Sequence, residues 1–287
     1  MELPPAIEVR HVSHVYPGGN RALADVSLVI ARGELLALIG QNGSGKTTLA
    51  KHFNGMLKPS GPEGSVLVHA PSGEALDTRV TPLHRLAPHV VYVFQNPDRQ
   101  IFNDSVAAEL GYGLRNIGVT GAEAARRIGE TLEQVGLAAT EQFNPFRMSR
   151  GQRQRLSIAA AMVMRPSVLV VDEPTTGQDR AEGHFILEVL RRYNADGRTV
   201  VIISHDMALV AQYATRVVAM HAGRVLADGE PRRVFARPEP LRLTNITPPQ
   251  VAVFGLRVGL PGLLTVGEAV ERIVAEVESG RAARGRA

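Results

Sequence analysis

The pattern of apolar positions along the chain predicts alternating strands and helices. Several short continuous apolar runs have the length of strands that are buried on both faces of a parallel sheet. A segment with helical spacing follows most of these runs. The strands are predicted at 35–39, 89–94, 168–171 and 199–203, and the helices at 46–55, 151–164 and 181–193. This order indicates an α/β fold.

Two regions depart from that alternation. Residues 7–30 form β-rich runs that are interrupted by a predicted turn at 17–20, so the N-terminal part is β-rich. From about residue 97 to 148 the pattern becomes helical, and 122–135 is rich in alanine, arginine and glutamate. We therefore predict one α/β domain at 1–240 that carries an inserted helical subdomain at about 97–165.

The composition changes again after about residue 240, where a small helical C-terminal extension is predicted at 241–287. Thr247 followed by Pro248 suits a helix start, and Thr265 with Glu268 forms a capping box for a last helix. That helix has an apolar face, formed by Val270, Ile273, Val274 and Val277. The face either packs on its own domain or forms a docking or dimerisation surface, and the sequence leaves both alternatives open.

Composition excludes several classes of protein. The 287 residues carry 32 Lys and Arg against 28 Asp and Glu, and this net charge of +4 is too small to indicate a nucleic-acid partner. Cysteine is absent, which removes disulfides and thiolate metal sites. The longest apolar runs fall well short of the roughly 18 residues of a membrane helix. Association with a membrane would therefore require a partner protein.

A glycine-rich segment between a predicted strand and a predicted helix carries the first chemical signal. It fits the phosphate-loop pattern G-x-x-x-x-G-K-[ST], in which backbone amides surround phosphate oxygens at a helix N-terminus. The lysine neutralises phosphate charge and the following hydroxyl binds Mg²⁺. The segment is Gly40, Gln41, Asn42, Gly43, Ser44, Gly45, Lys46 and Thr47. It predicts a phosphate-bearing ligand with Mg²⁺.

Two carboxylates follow the apolar run at 168–171. Asp172 and Glu173 end a predicted parallel strand, at the edge of the sheet where α/β proteins bind ligands. Asp172 is predicted to hold Mg²⁺ and Glu173 to polarise a water molecule beside the γ-phosphate. An acidic strand end is common by itself, and it becomes specific only together with the phosphate loop.

The segment 148–155, Met-Ser-Arg-Gly-Gln-Arg-Gln-Arg, resembles the L-S-G-G-Q signature of ABC ATPases. The resemblance implies a phosphate-loop ABC cassette in which the signature of one subunit closes over ATP bound to another. Ser149, Gly151 and Gln152 would then contact the partner's ATP. Arg150 departs from the glycine that the family usually has. The sequence leaves open whether it is an accepted variant or lowers activity.

Further positions match the same family one by one. Gln95 resembles the glutamine that senses Mg²⁺ and the transport partner, and His205 resembles the switch histidine at the γ-phosphate. Asp179 stands at the position of the D-loop aspartate, although Gly177 and Gln178 differ from the common S-A-L-D form. The resemblance also implies that Tyr16 contacts adenine and that Thr48 contacts the nucleotide.

A narrower resemblance is to energy-coupling-factor ATPases. It rests on 94–102, Phe-Gln-Asn-Pro-Asp-Arg-Gln-Ile-Phe, and on the C-terminal extension. It implies an ATPase that lies on the cytoplasmic face of the membrane as a peripheral subunit. This ATPase would power uptake of a vitamin or a transition-metal ion. The implied partners are a second ABC ATPase, identical or related, a transmembrane T component and a substrate-binding S component. The alternative is a soluble ABC ATPase of DNA maintenance or translation, which would need coiled coils or a second cassette.

Overall fold

The computed structural model describes residues 4–244 and 246–284, without the side chains of residues 238 and 279–284. Between the predicted strands at 89–94 and 168–171 the chain forms helices, together with two short 3₁₀ turns at Pro97–Arg99 and Pro145–Arg147. Within the described residues the strands are β1 (Ile7–Val15), β2 (Arg21–Ile30), β3 (Leu35–Ile39), β4 (Ser65–His69), β5 (Ala75–Asp77), β6 (Val90–Val93), β7 (Val168–Asp172), β8 (Thr199–Ile203), β9 (Arg216–His221) and β10 (Arg224–Gly229). The helices there are α1 (Lys46–Phe53), α2 (Leu83–Leu86), α3 (Val106–Asn116), α4 (Gly121–Gln134), α5 (Arg150–Met162), α6 (Arg180–Ala195), α7 (Met207–Tyr213), α8 (Pro231–Phe235), α9 (Pro238–Leu243), α10 (Gln250–Arg257) and α11 (Val266–Arg284).

The strands form two sheets. One is antiparallel and has the order β2-β1-β4-β5, as the β-rich N-terminal pattern predicts. The other has the order β10-β9-β3-β8-β7-β6, and it is parallel except for the pairing of β9 with β10. Because β3, β8 and β7 are adjacent and parallel, the loops after them meet at one edge of the sheet. The predicted α/β fold class is confirmed.

The central strands are buried on both faces. In β3, Leu35, Ala37 and Ile39 pack in the cluster that includes α5 and α6, while Leu36 and Leu38 pack against the N-terminal sheet and α1. Complete burial of such an aliphatic side chain contributes about 1.5–3 kcal/mol. Apolar residues on both faces explain why these strands read as continuous apolar runs rather than as alternating ones.

Several predicted boundaries needed correction. The predicted helices 151–164 and 181–193 are observed as α5 and α6, which begin one residue earlier because the side chains of Ser149 and Asp179 cap their N-termini. The predicted helix start at Thr247 and Pro248 is wrong, because α10 begins at Gln250. Pro249 disfavours helical geometry for the residue before it, so the helix starts only after the second proline.

The last helix begins where the capping pattern predicts. The hydroxyl of Thr265 accepts a hydrogen bond from the amide of Glu268 (3.2 Å), and the Glu268 carboxylate accepts one from Leu264 N (3.0 Å), one residue before the expected position. The valines of its apolar face, Val270, Val274 and Val277, remain 47–56% exposed. Within the described chain this face is therefore not covered by its own domain.

Candidate functional site

The glycine-rich loop after β3 adopts a conformation that side chains would block. Gly40 has φ 150°, and a Cβ there would lie 2.5 Å from the carbonyl oxygen of Met220. Gly45 has φ 104°, and a Cβ there would lie 2.6 Å from the carbonyl oxygen of Ala22. Glycine is required at both positions because the loop curls tightly before α1 and its neighbours approach its backbone.

Lys46 begins α1 and is 7% exposed. Its ammonium group donates to the carbonyl oxygens of Gly40 (2.7 Å) and Gln41 (3.0 Å), so it folds back over the loop. Burial lowers the pKa of Lys46, and the nearby carboxylates of Glu173 and Asp172 oppose that shift. A charged lysine in this position would attract a phosphate group to the loop.

Asp172, at the end of β7, meets residues from two distant parts of the chain. Its Oδ2 accepts hydrogen bonds from the hydroxyl of Thr47 (3.1 Å) and from the hydroxyl of Tyr92 (2.5 Å). Burial and the Asp172 charge raise the pKa of Tyr92, which keeps this phenol protonated as a donor. The sequence patterns did not point to Tyr92 as a site residue. The feature that could have indicated it is that Tyr92 is the one hydroxyl-bearing residue in the otherwise apolar strand β6.

Glu173 lies beside Asp172 and has an unusual backbone, with φ 51°. Its carboxylate is largely buried and lies 2.6 Å from Nδ1 of His205, and it accepts a hydrogen bond from the Thr176 hydroxyl (3.3 Å). Burial raises the pKa of the Glu173 carboxyl, while His205 opposes the shift. Left-handed geometry costs about 1–3 kcal/mol for a residue of this type, so the surroundings must hold Glu173 in place.

These residues share one cleft of about 280 Å³. The structure brings together in it Tyr16 and Gln95 from the predicted set, with Lys46, Thr47, Asp172 and Glu173. The hydroxyl of Tyr16 lies 3.1 Å from that of Thr48. Other predicted loop residues also line it, namely Asn42, Gly43, Gly45 and Thr48. His205 is outside the cleft lining, and its side chain is 66% exposed.

The signature residues do not face this cleft. Ser149 caps α5 by accepting from the amide of Gln152 (3.2 Å), and the Gln152 side chain accepts from the amide of Ser149 (2.9 Å). Asp179 caps α6 and lines a separate cleft of about 660 Å³ towards the C-terminal extension. Ser149, Gly151, Gln152 and Asp179 thus do not line the cleft that contains the phosphate loop of the same chain.

Behind Tyr16 lies a buried pair of histidines. The ring centroids of His14 and His52 are 4.9 Å apart, and Nδ1 of His52 lies 2.7 Å from the carbonyl oxygen of Thr48. Burial lowers the pKa of His52. The unfolded chain therefore takes up a proton at His52 more readily than the folded chain does.

We expect this difference to make folding stability fall as the pH drops below about 6.5, by up to about 1.4 kcal/mol per pH unit. Urea unfolding at about pH 7.5 and 5.5 should show a smaller loss for His52→Gln than for the parent chain. His84→Gln, which changes an exposed histidine, is the matched control. Equal losses for the parent chain and His52→Gln would contradict the expectation.

The residues present fit ATP and Mg²⁺. The hydroxyl of Ser44 is buried without a hydrogen-bond partner among the described residues, and a phosphate oxygen could accept from it. Thr47 and Asp172 place two oxygens side by side, which are the ligand atoms that Mg²⁺ prefers. In the part of the chain that the structure describes, no group of three or more histidine, cysteine or carboxylate side chains could hold a metal ion.

The two sheets, the glycine loop and the acidic strand end define a phosphate-loop nucleotide-binding protein. The family model described as ABC transporter matches residues 23–176. The chain belongs to this family. The resemblance inferred from the signature segment is thereby confirmed.

The similar proteins agree with this assignment. The chain is 36% identical, over 93% of its length and 86% of the relative's, to the energy-coupling factor transporter ATP-binding protein EcfA of Methanothermobacter thermautotrophicus. CbiO1 of Clostridium perfringens, described as part of the ABC transporter complex cbiONQ, superposes with a TM-score of 0.74 at 32% identity, covering 89% of this chain and 99% of that one. The cassette MJ0796, solved as a dimer with ADP and Pi, gives a TM-score of 0.67 at 27% identity, covering 78% of this chain and 98% of that one.

Other curated relatives are longer. The chain is 41% identical over 88% of its length to the putative ABC transporter ATP-binding protein TTE1589 of Caldanaerobacter subterraneus, yet it spans only 43% of that protein. No helix in the described part of the chain has the length and apolar content needed to cross a membrane.

Proposed function

We propose that the chain binds ATP with Mg²⁺ and hydrolyses it. The observation that carries the proposal is the position of Glu173, whose buried carboxylate shares one cleft with Lys46 and Thr47. Hydrolysis requires an acceptor for the proton of the attacking water beside bound phosphate. Burial raises the pKa of Glu173, which makes it a stronger acceptor than an exposed glutamate.

Each group in the cleft then has a role. The amides of residues 40–48 and the ammonium of Lys46 bind the phosphates, and the ring of Tyr16 contacts adenine. Thr47, Asp172 and Gln95 would hold Mg²⁺, which neutralises phosphate charge when bound. Water attacks the γ-phosphorus, its proton passes to Glu173, and the bond to ADP breaks. His205 reaches the γ-phosphate from the solvent side.

Ser149, Gly151, Gln152 and Asp179 act on ATP bound to a second ABC subunit. None of them lines the nucleotide cleft of the same chain, which supports this part of the proposal. The N-terminus of α5 supplies positive potential for the partner's phosphate. A complete site therefore needs two cassettes, identical or related.

The chain is proposed as the ATPase of an energy-coupling-factor importer for a vitamin or a transition-metal ion. The similarity to EcfA and CbiO1 supports this assignment. The partners would be a T component that spans the membrane and an S component that binds the substrate, with this chain peripheral on the cytoplasmic face. Nucleic acid is not a proposed partner.

The proposed division places the cassette at 1–240, with the helical subdomain at about 97–165, and the extension at 241–287. The extension has a role in pairing the two ATPases. The exposed valine face of α11 supports this, together with Phe254 of α10, which is 44% exposed. Apolar side chains grouped on one side of a short helical extension are typical of a protein contact.

The concentration dependence of ATP hydrolysis tests the proposal. We expect activity per molecule to rise with protein concentration, because each site lacks a signature until two chains meet. Ser149→Ala should lower the activity at high concentration while ATP binding to the isolated chain stays the same. Activity per molecule that is constant from monomer to dimer would contradict the shared site, and absence of any turnover in dimers would contradict the ATPase assignment.

A further inference from the structure

The two places where the chain departs from the ABC pattern touch each other. Arg150 replaces the usual glycine of the signature, and Gly177 with Gln178 replaces the usual D-loop residues. A Cβ built on Gly177 would lie 2.7 Å from the guanidinium carbon of Arg150. Gly177 also has φ 73°, a conformation that favours glycine. An arginine at 150 and a glycine at 177 therefore fit together sterically.

The guanidinium of Arg150 lies on the turn that follows Glu173. It donates to the carbonyl oxygen of Thr176 over 3.4 Å. A cation in the first turn of α5 is unfavourable beside the positive end of the helix, so this contact with a carbonyl partly offsets that cost. The flat guanidinium also covers the backbone of Gly177, which a lysine ammonium could not do in the same way.

The same turn holds the proposed catalytic base. Thr176 donates through its amide to the carbonyl oxygen of Glu173 (3.2 Å) and through its hydroxyl to the Glu173 carboxylate (3.3 Å). The left-handed backbone of Glu173 needs such support, because this geometry is strained for a residue with a side chain. Arg150 is thus linked to Glu173 through one intervening residue, Thr176.

We propose that Arg150 is a positioning residue that joins the signature helix to Glu173 of the same chain through Thr176. The inference rests on the proposed ATPase function and deepens it. The N-terminus of α5 meets ATP on the partner, while Glu173 serves ATP on its own chain. When the signature closes over the partner's nucleotide, it would therefore also fix the Glu173 carboxylate at the nucleotide site of its own chain.

The test is steady-state ATP hydrolysis by the full chain at protein concentrations that saturate dimer formation. Arg150→Ala should lower kcat by about three- to tenfold, since it removes one long charge-assisted hydrogen bond. The KM for ATP should change by less than about twofold, because Arg150 does not line the cleft of its own chain. Arg147→Ala, which removes another exposed arginine just before the signature, is the matched control and should behave like the parent.

Arg150→Lys separates positioning from simple charge. We expect it to retain less than half of the parent kcat, because the ammonium keeps the charge but does not cover Gly177. Full activity of Arg150→Lys, or a raised KM with unchanged kcat in Arg150→Ala, would overturn the proposal in favour of a cation for the partner's phosphate. Equal melting temperatures of the variants and parent show that the loss does not come from unfolding.

A double-mutant cycle with Thr176→Val tests the route. Thr176→Val removes the hydroxyl contact with the Glu173 carboxylate and keeps the backbone contacts, so Arg150→Ala should lower kcat by a smaller factor in the Thr176→Val background than in the parent. Equal factors in the two backgrounds would overturn the proposal. A parent chain without turnover would instead refute the ATPase function, so the two failures are distinguishable.

Discussion

Glu173→Gln is expected to abolish most ATP turnover while ATP binding persists. The substitution keeps the size of the side chain, so it can still contact His205 and Thr176. An amide, however, cannot take a proton from water. Loss of a general base costs about 10²–10⁴-fold in rate. The variant should therefore accumulate as an ATP-bound dimer, which size-exclusion chromatography with ATP and Mg²⁺ would detect beside a phosphate-release assay.

The neighbouring carboxylate provides the comparison. Asp172→Asn should weaken Mg²⁺-dependent ATP binding itself, because Asp172 faces Thr47 rather than the solvent side of the cleft. Glu188→Gln, on an exposed ion pair of α6, should leave both properties unchanged. A Glu173→Gln chain that stays monomeric and hydrolyses ATP at the parent rate would show that the base is another residue.

Lys46→Ala is expected to lower ATP affinity by at least about 30-fold, since a charge-assisted contact with phosphate contributes roughly 2–3 kcal/mol. The effect should be large because Lys46 is 7% exposed and solvent screens its charge poorly. Titration of the purified chain with ATP by calorimetry measures the change directly.

Lys51→Ala is the matched control, because Lys51 lies on the same helix but in its last turn. It should bind ATP like the parent chain. The melting temperature of both variants without nucleotide shows whether the fold is retained. Unchanged affinity in a folded Lys46→Ala variant would argue against the phosphate-loop assignment.

Local sequence patterns predicted a large part of the fold. The runs that form β3, β7 and β8 are recognisable because the strands are buried on both faces, and all their residues except Asp172 and Thr199 are apolar. Helix boundaries were less certain. The start of α10 was misplaced because two consecutive prolines, rather than the threonine before them, decided where helical geometry could begin.

The sequence alone determined the phosphate loop, the acidic end of β7 and the signature, because each is a contiguous segment whose backbone and residue types carry the chemistry. The tertiary structure decided which distant side chains meet. Tyr92 and Thr47 reach Asp172 across 80 and 125 residues only because β6 and β3 lie near β7 in the sheet. The contact between Arg150 and Gly177 likewise depends on how α5 packs beside the turn after β7, and no local pattern encodes that packing.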